Sequence, residues 1–323
     1  MMNLQALRGA LAATLLCIAG TLAAQTYPAG PVRLVVPFPA GGGVDTAGRL
    51  LGQKLSEAIA KPVLIDNRAG ANGMIGSEIV AKAPKDGYTL MVNGANFVTS
   101  PSLFAKSLYD PIRDFDPISL LAHAPNILVV HPSLPVRNVR ELIAFARARP
   151  GEILFAGSGS GSTPHLAGEL FKTLTNTKMV HVPYRGTGPA ITAILSGEVS
   201  TMFMPAITAL PLIQSGRVRA LGVTTLERLP ALPDLPTVSE SGLKGYQSSQ
   251  WYGVFAPAGT PPDILNFLNG HVAKIMQNAD MKERMKNSGS VAVGSTREAF
   301  TKYVQAEFIK WAKIIKDSGA TAN

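Results

Sequence analysis

Val35-Val36-Pro37-Phe38-Pro39-Ala40-Gly41-Gly42-Gly43-Val44-Asp45 joins an apolar run to a helical one. Val32 to Val36 is short, continuous and rich in β-branched residues, the pattern of a strand buried on both faces. From about Thr46 to Ala60 the apolar period becomes helical. Three adjacent glycines between them let the backbone turn tightly and present N–H groups with no Cβ in the way. A helix N-terminus adds unpaired N–H groups and the positive end of its dipole. The segment therefore reads as an anion cradle at the carboxyl end of a strand, where open α/β sheets bind ligands. A plain turn with Asp45 as N-cap explains the same residues, and for Asp45 capping and ligand contact stay equally open.

The alternation continues outward. Val63 to Ile65 and Tyr88 to Val92 read as strands, with a helix at Met74 to Lys82, which is a βαβ pattern with a parallel sheet expected. A second series has strands at Ile127–His131, Ile153–Ala156, Met179–Val182, Val199–Phe203 and Ala220–Thr224. Helices are expected at Val139–Arg147, Leu166–Leu174, Ala190–Ser196 and Ile207–Gln214. The Pro-rich stretch Leu229–Pro236 reads as a crossing loop. A strand at Trp251–Ala256, a helix opened by Pro261 and Pro262, and an amphipathic helix at Arg297–Lys316 follow. That last helix places Phe300, Tyr303, Val304, Trp311, Ile314 and Ile315 near one face and is expected to pack on the first lobe.

Residues 1–24 have the shape of a cleavable secretory signal: Arg8, an uncharged Leu/Ala-rich run from Gly9 to Ala24, and small residues at Thr21, Ala23 and Ala24. The expected location is the periplasm. Cys17, the one cysteine, lies in that segment, so the mature chain is expected to hold no disulfide and no cysteine-bound metal. The formal charge is +9, and losing Arg8 leaves +8. The Lys and Arg residues are scattered, with no basic helix or aromatic platform, which argues against nucleic acid and agrees with steering of a small anion. Solubility alone explains a basic chain equally well.

Nucleotide motifs fail: no G-x-G-x-x-G begins at Gly41, and no Gly-Lys-Ser/Thr completes a phosphate loop. Gly157-Ser158-Gly159-Ser160-Gly161-Ser162 misses the nucleophile elbow, because glycine stands where G-x-S-x-G needs serine. It reads as a polar strand-to-helix loop before Thr163 and Pro164. His165 reads as a loop-bracing histidine in preference to a catalytic base. His123, His131, His181 and His271 lack metal-ligand spacing, so no metal and no cofactor are expected. Val182-Pro183-Tyr184-Arg185-Gly186-Thr187-Gly188-Pro189-Ala190 repeats the logic of the first loop, and the two are expected to face each other across a cleft.

Several ordered motifs resemble the Bug receptor family, the extracytoplasmic solute-binding component of tripartite tricarboxylate transporters. They are Tyr27-Pro28, the segment Val35 to Gly43 with Asp45, Asp66-Asn67-Arg68-Ala69-Gly70-Ala71 with Gly73 and Gly76, and Asp86-Gly87-Tyr88-Thr89-Leu90. Glu141-Leu142-Ile143-Ala144, Gly161-Ser162 with His165 to Glu169, Val182 to Gly186, Pro236-Thr237-Val238 with Glu240-Ser241-Gly242, Trp251-Tyr252-Gly253 and Ala256 to Pro261 complete the series. The resemblance implies an α/β, two-lobed periplasmic-binding-protein fold, a type II-like clamshell with its ligand cleft between the lobes. Residues 25–125 and 229–323 form one lobe and 126–228 the other.

Carried over by position, the resemblance nominates Phe38, Ala40, Gly41, Gly42 and Asp45 in one lobe. Ser158, Gly161, Ser162, Tyr184, Gly186 and Ala190 face them from the other. Asn93, Asn96 and Phe97 are expected to line the same cleft. Where relatives often carry an aspartate, this chain has Met204 followed by Pro205, which argues against a ligand ammonium and makes that end of the pocket more apolar. The expected ligand is a small organic carboxylate. The expected partner of the monomeric receptor is a membrane permease, or a sensor protein in the alternative reading. A hydrolase using Ser158 or Ser162 with His165 is the rival class.

Overall fold

In a computed structural model the chain is described over residues 27–321, apart from Ser160, Arg185 and Gly186. The expected signal segment and the candidate Gly186 lie outside the described residues.

Val32–Val36 (β1) is an interior strand of the first sheet, next to its edge, and buries side chains on both faces. It pairs in parallel with Val63–Asn67 (β2) and Thr89–Gly94 (β3). Gly43–Ile59 (α1) returns the chain from β1 to β2 and buries Leu51 and Leu55. Ala71–Gly73 is a 3₁₀ turn leading into Met74–Ala81 (α2). Asn96–Leu103 (α3) follows β3 directly. This helix was not anticipated, since Pro101 sits inside it.

Phe115–Val130 (β4) is a 16-residue strand of which only the end was legible in the sequence. Pro117 and Pro125 argue against a ladder strand. The register shifts beside Pro117, and again between Leu120 and Ala122, so the pairing absorbs Pro117 in a bulge. The first part of β4, Phe115 to Pro125, pairs with Ser249–Pro257 (β9), which continues antiparallel onto β3. Its last part, Asn126 to Val130, enters a second sheet against Thr201–Pro205 (β7) and Arg219–Val223 (β8). Leu154–Gly157 (β5) joins β7 in parallel and carries Val180–Pro183 (β6) at the edge. One strand thus stitches two sheets.

Val139–Ala148 (α4), Thr163–Thr175 (α5), Thr187–Ser196 (α6) and Ala206–Gln214 (α7) flank the second sheet. Pro262–Gln277 (α8) flanks the first, and Ala279–Asn287 (α9) precedes the short strand Val291–Ala292 (β10), which pairs with β4. Arg297–Ser318 (α10) is capped by Thr296, whose side chain accepts from the Ala299 N–H, and ends at Gly319 with φ +67.

This last helix lies against α3 and β4, as expected, and in addition against α5 of the second sheet. The reason is its long apolar stripe. Phe300 and Val304 join Phe97 and Phe255, while Trp311, Ile314 and Ile315 extend one continuous core toward Phe155 and Phe171. Separate cores occupy the other faces of the two sheets, one around Leu34, Leu51 and Leu268 and one around Ile127, Ala193 and Met202.

Candidate functional site

A cavity of about 720 Å³ opens between the two sheets. Five helices begin at its wall: α1 at Gly43, α3 at Asn96, α5 at Thr163, α6 at Thr187 and α7 at Ala206. Each follows the carboxyl end of a strand, so the strand-to-helix connections of both sheets converge on one space. The caps Gly42, Ala95 and Pro205 place no side-chain oxygen on the first turns of α1, α3 and α7. First-turn N–H groups have no partner within their own helix, so these ends are available to an outside acceptor. Ser162 caps α5 by accepting from the His165 N–H.

None of the described lining residues carries a formal charge. The polar ones are Thr, Ser, Asn and Gln side chains and the Tyr252 hydroxyl. Burial pushes Tyr252 up to about 12, so it is a neutral donor at physiological pH. Asn126, at the point where β4 changes sheets, has a buried Nδ2 without a partner among the described residues. Thr163 Oγ1 donates to Gln250 Oε1 at 3.0 Å, linking the N-terminus of α5 to β9 across the cavity.

The first loop is held in place by its neighbours. Asp45 Oδ2 accepts from the Gly41 N–H and from Arg49 Nε, both at 2.9 Å, and Oδ1 accepts from Asn67 Nδ2 at 2.9 Å. Asn67 Nδ2 also donates to the Phe38 carbonyl at 3.0 Å. Burial disfavours the Asp45 charge, but these hydrogen bonds and the Arg49 charge outweigh it and hold the carboxyl below its ordinary value. Asp45 is therefore neither cap nor cavity wall: it braces the loop and consumes one N–H of the expected cradle.

The other nominated residues divide. Gly41, Ser158 and Ser162 line the cavity, together with Asn96. Phe38, Ala40 and Gly42 line an adjoining hollow of about 380 Å³ that shares Gly43, Asn96, Gln250 and Tyr252 with it. Gly161, with φ +76, packs on Leu103 and donates its N–H to His165 Nδ1 at 2.9 Å. Asn93, Phe97, Tyr184, Ala190 and Met204 do not reach the cavity. Asn93 spends its amide on Ser77 Oγ and the Gly94 N–H. The Phe97 ring stacks on Tyr109 inside the aromatic core, and Ala190 and Met204 are fully buried in the core of the second sheet. Tyr184 turns outward and donates its hydroxyl to Glu198 Oε1 at 2.7 Å.

His165 is not assembled with a serine nucleophile. Its ring stacks on His181 at 3.8 Å between centroids, and Nδ1 is occupied by the Gly161 amide. Burial, then the neighbouring His181 and Lys172, depress it to about 3. Asn126, Gln250, Tyr252 and Ser288–Ser290 also form the wall, and nothing in the sequence had marked them as site residues. Gln250 and Tyr252 were within reach, because alternate residues of a strand share a face. Among the described residues no group of three His, Cys, Asp or Glu is placed to hold a metal ion.

Residues 47–320 match the tripartite tricarboxylate transporter family receptor. The chain belongs to that receptor family. It is 36% identical over 307 residues to protein BugT of Bordetella pertussis, covering 94% of both chains. Among solved structures, the family receptor is similar to Rpa4515 of R. palustris with adipate, at 38% identity and a TM-score of 0.76, over 91% of this chain and 99% of that one. It is likewise similar to MatC of Rhodopseudomonas palustris with bound malate, at 32% identity and a TM-score of 0.72, over 90% and 100%.

Proposed function

We propose that this receptor captures a small organic carboxylate in the periplasm, catalyses no reaction, and presents its closed form to a membrane permease. One observation carries the reading: five helix N-termini meet around a cavity whose described wall has no formal charge. Aligned peptide dipoles and unpaired N–H groups favour an anion there. The described wall holds the anion by dipoles and neutral donors in place of a formal ion pair. Solved relatives named with adipate and malate support the carboxylate class.

The proposed contacts are the first-turn N–H groups of α1, α3 and α7, which no side chain caps, the hydroxyls of Ser158, Ser162 and Tyr252, and the amides of Asn96 and Asn126. Phe38, Ala40, Gly42 and the undescribed Gly186 are proposed to act through the adjoining loops. The proposed lobes are 25–125 with 229–323, and 126–228, hinged at Asn126 and between Leu221 and Trp251. Residues 1–24 are proposed as the cleaved signal, and the mature receptor as a monomer. Closure excludes water and strengthens every N–H to carboxylate bond.

A thermal-shift screen of residues 25–323 against carboxylates, amino acids and uncharged controls tests this. A ligand at 100 times its Kd stabilises the fold by about 2.7 kcal/mol. A response confined to carboxylates supports the reading, and a response confined to uncharged or cationic compounds removes it.

A further inference from the structure

Along the edge formed by Ala206, Gly289 and Ser290 the main cavity borders a second hollow of about 200 Å³. Its walls are apolar: Leu210 from α7, Leu229 to Ala231 from the loop after β8, and Val291 and Ala292 from β10. At its α9 side stand Lys282 and Lys286, exposed and one helical turn apart. Asp280 on the same helix is already taken up by Lys54 and Arg284, and neither Lys282 nor Lys286 has an ion-pair partner among the described residues. The two spaces thus have complementary chemistry. One offers helix N-termini and neutral polar groups; the other offers a hydrocarbon wall ending in two ammonium groups.

Ile207 and Gly289 stand between them. A Cβ added at Gly289 would lie 2.5 Å from Ile207 Cβ, so the two elements approach as closely as a glycine allows. Ile207 is 47% exposed, which leaves its side chain room to turn aside. The walls also come from both sheets' flanking elements, so the hollow is complete only when α7 and α9 are together.

We propose that this hollow is a distal subsite, taking the hydrocarbon segment of an elongated carboxylate and pairing its second acidic end with Lys282 and Lys286. The inference rests on the carboxylate-receptor reading and narrows it to ligands acidic at both ends. Selectivity then comes from length: each methylene buried along Leu210 and Leu229 tightens binding about fourfold until the subsite is filled.

Titration calorimetry of the mature receptor with linear dicarboxylates from malonate to sebacate, and with the matching monocarboxylates, tests it. The expected result is an affinity that climbs with dicarboxylate length. In the Lys282→Ala/Lys286→Ala double variant the long dicarboxylates lose about tenfold, while short ones and all monocarboxylates are unchanged. Both lysines are exposed, so the variant's melting temperature should match the wild type. Affinity that falls with length, or a double variant that weakens short and long ligands alike, overturns the subsite while leaving the receptor reading intact. If no carboxylate of any length binds, the receptor reading itself fails, and the subsite with it.

Discussion

The Tyr252 hydroxyl lies directly over Gly43, so closely that a Cβ there would collide with the oxygen. The first residue of α1 is thereby fixed as glycine, and a neutral phenol donor is set beside the helix N-terminus. Tyr252→Phe removes that donor without changing shape. A hydrogen bond to a charged group contributes about 1.5–3 kcal/mol, so affinity for the carboxylate should fall roughly 10- to 100-fold, with little change in melting temperature. Gly43→Ala should weaken binding too, and less so in the Tyr252→Phe background, where the colliding oxygen is gone. Equal penalties in both backgrounds would show that the contact does not matter.

Asp45 acts on the ligand through the loop. Asp45→Ala frees the Gly41 N–H, Arg49 and Asn67 at once and leaves Gly41 to Gly43 to be ordered by the ligand itself. Losing that preorganisation should cost about tenfold in affinity, measured by calorimetry. An affinity unchanged in Asp45→Ala would mean that the first loop does not hold the ligand.

The stacked pair His165 and His181 makes stability depend on pH. Burial, with the charge of Lys172 and for His165 also that of His181, lowers them from 6.5 to about 3 and about 4. Their values are depressed on folding, so the unfolded chain takes up protons first as pH falls. Stability is full above about pH 6.5 and declines below it toward about pH 4 for His181 and about pH 3 for His165. His181→Asn should make the fall in melting temperature between pH 6.5 and 5 shallower. His123 and His271, also depressed by burial, act in the same window, so the slope shrinks and does not vanish. An unchanged slope would contradict the assignment.

Gly289 has φ +72 and meets Ile207 across the cavity edge. Gly289→Val introduces both a strained backbone and a collision. The variant should hold α7 and α9 apart, giving a larger radius of gyration in small-angle scattering and weaker ligand binding. A scattering curve and an affinity both equal to wild type would show that the close approach is not part of closure.

Much of this was legible because Val32–Val36 and the glycines after it obey local rules: a buried strand, a turn with no Cβ, a helix start. The alternation of strand and helix carried the reading to both sheets. What escaped depends on neighbours distant in sequence. Pro117 and Pro125 hid most of β4, whose pairing with β9 and β10 comes from residues more than a hundred positions away. For Asp45 capping and ligand contact were equally open until Arg49 and Asn67 were beside it. Asn96 and Phe97 are adjacent, yet one faces the cavity and the other the aromatic core, because α3 begins at Asn96 and successive helical residues point about 100° apart. The polar alternation of Gln250 and Tyr252 was visible, but nothing local says which side of β9 is empty.

The most direct test of the central claim, an anion held by helix N-termini with no charged side chain on the described wall, is one calorimetric comparison. The carboxylate giving the largest thermal shift is titrated into residues 25–323 beside its primary amide, an uncharged group of the same size. The account predicts that the carboxylate binds and the amide is weaker by at least about tenfold. Equal affinities would show that the cavity does not select for negative charge, and the account would fall.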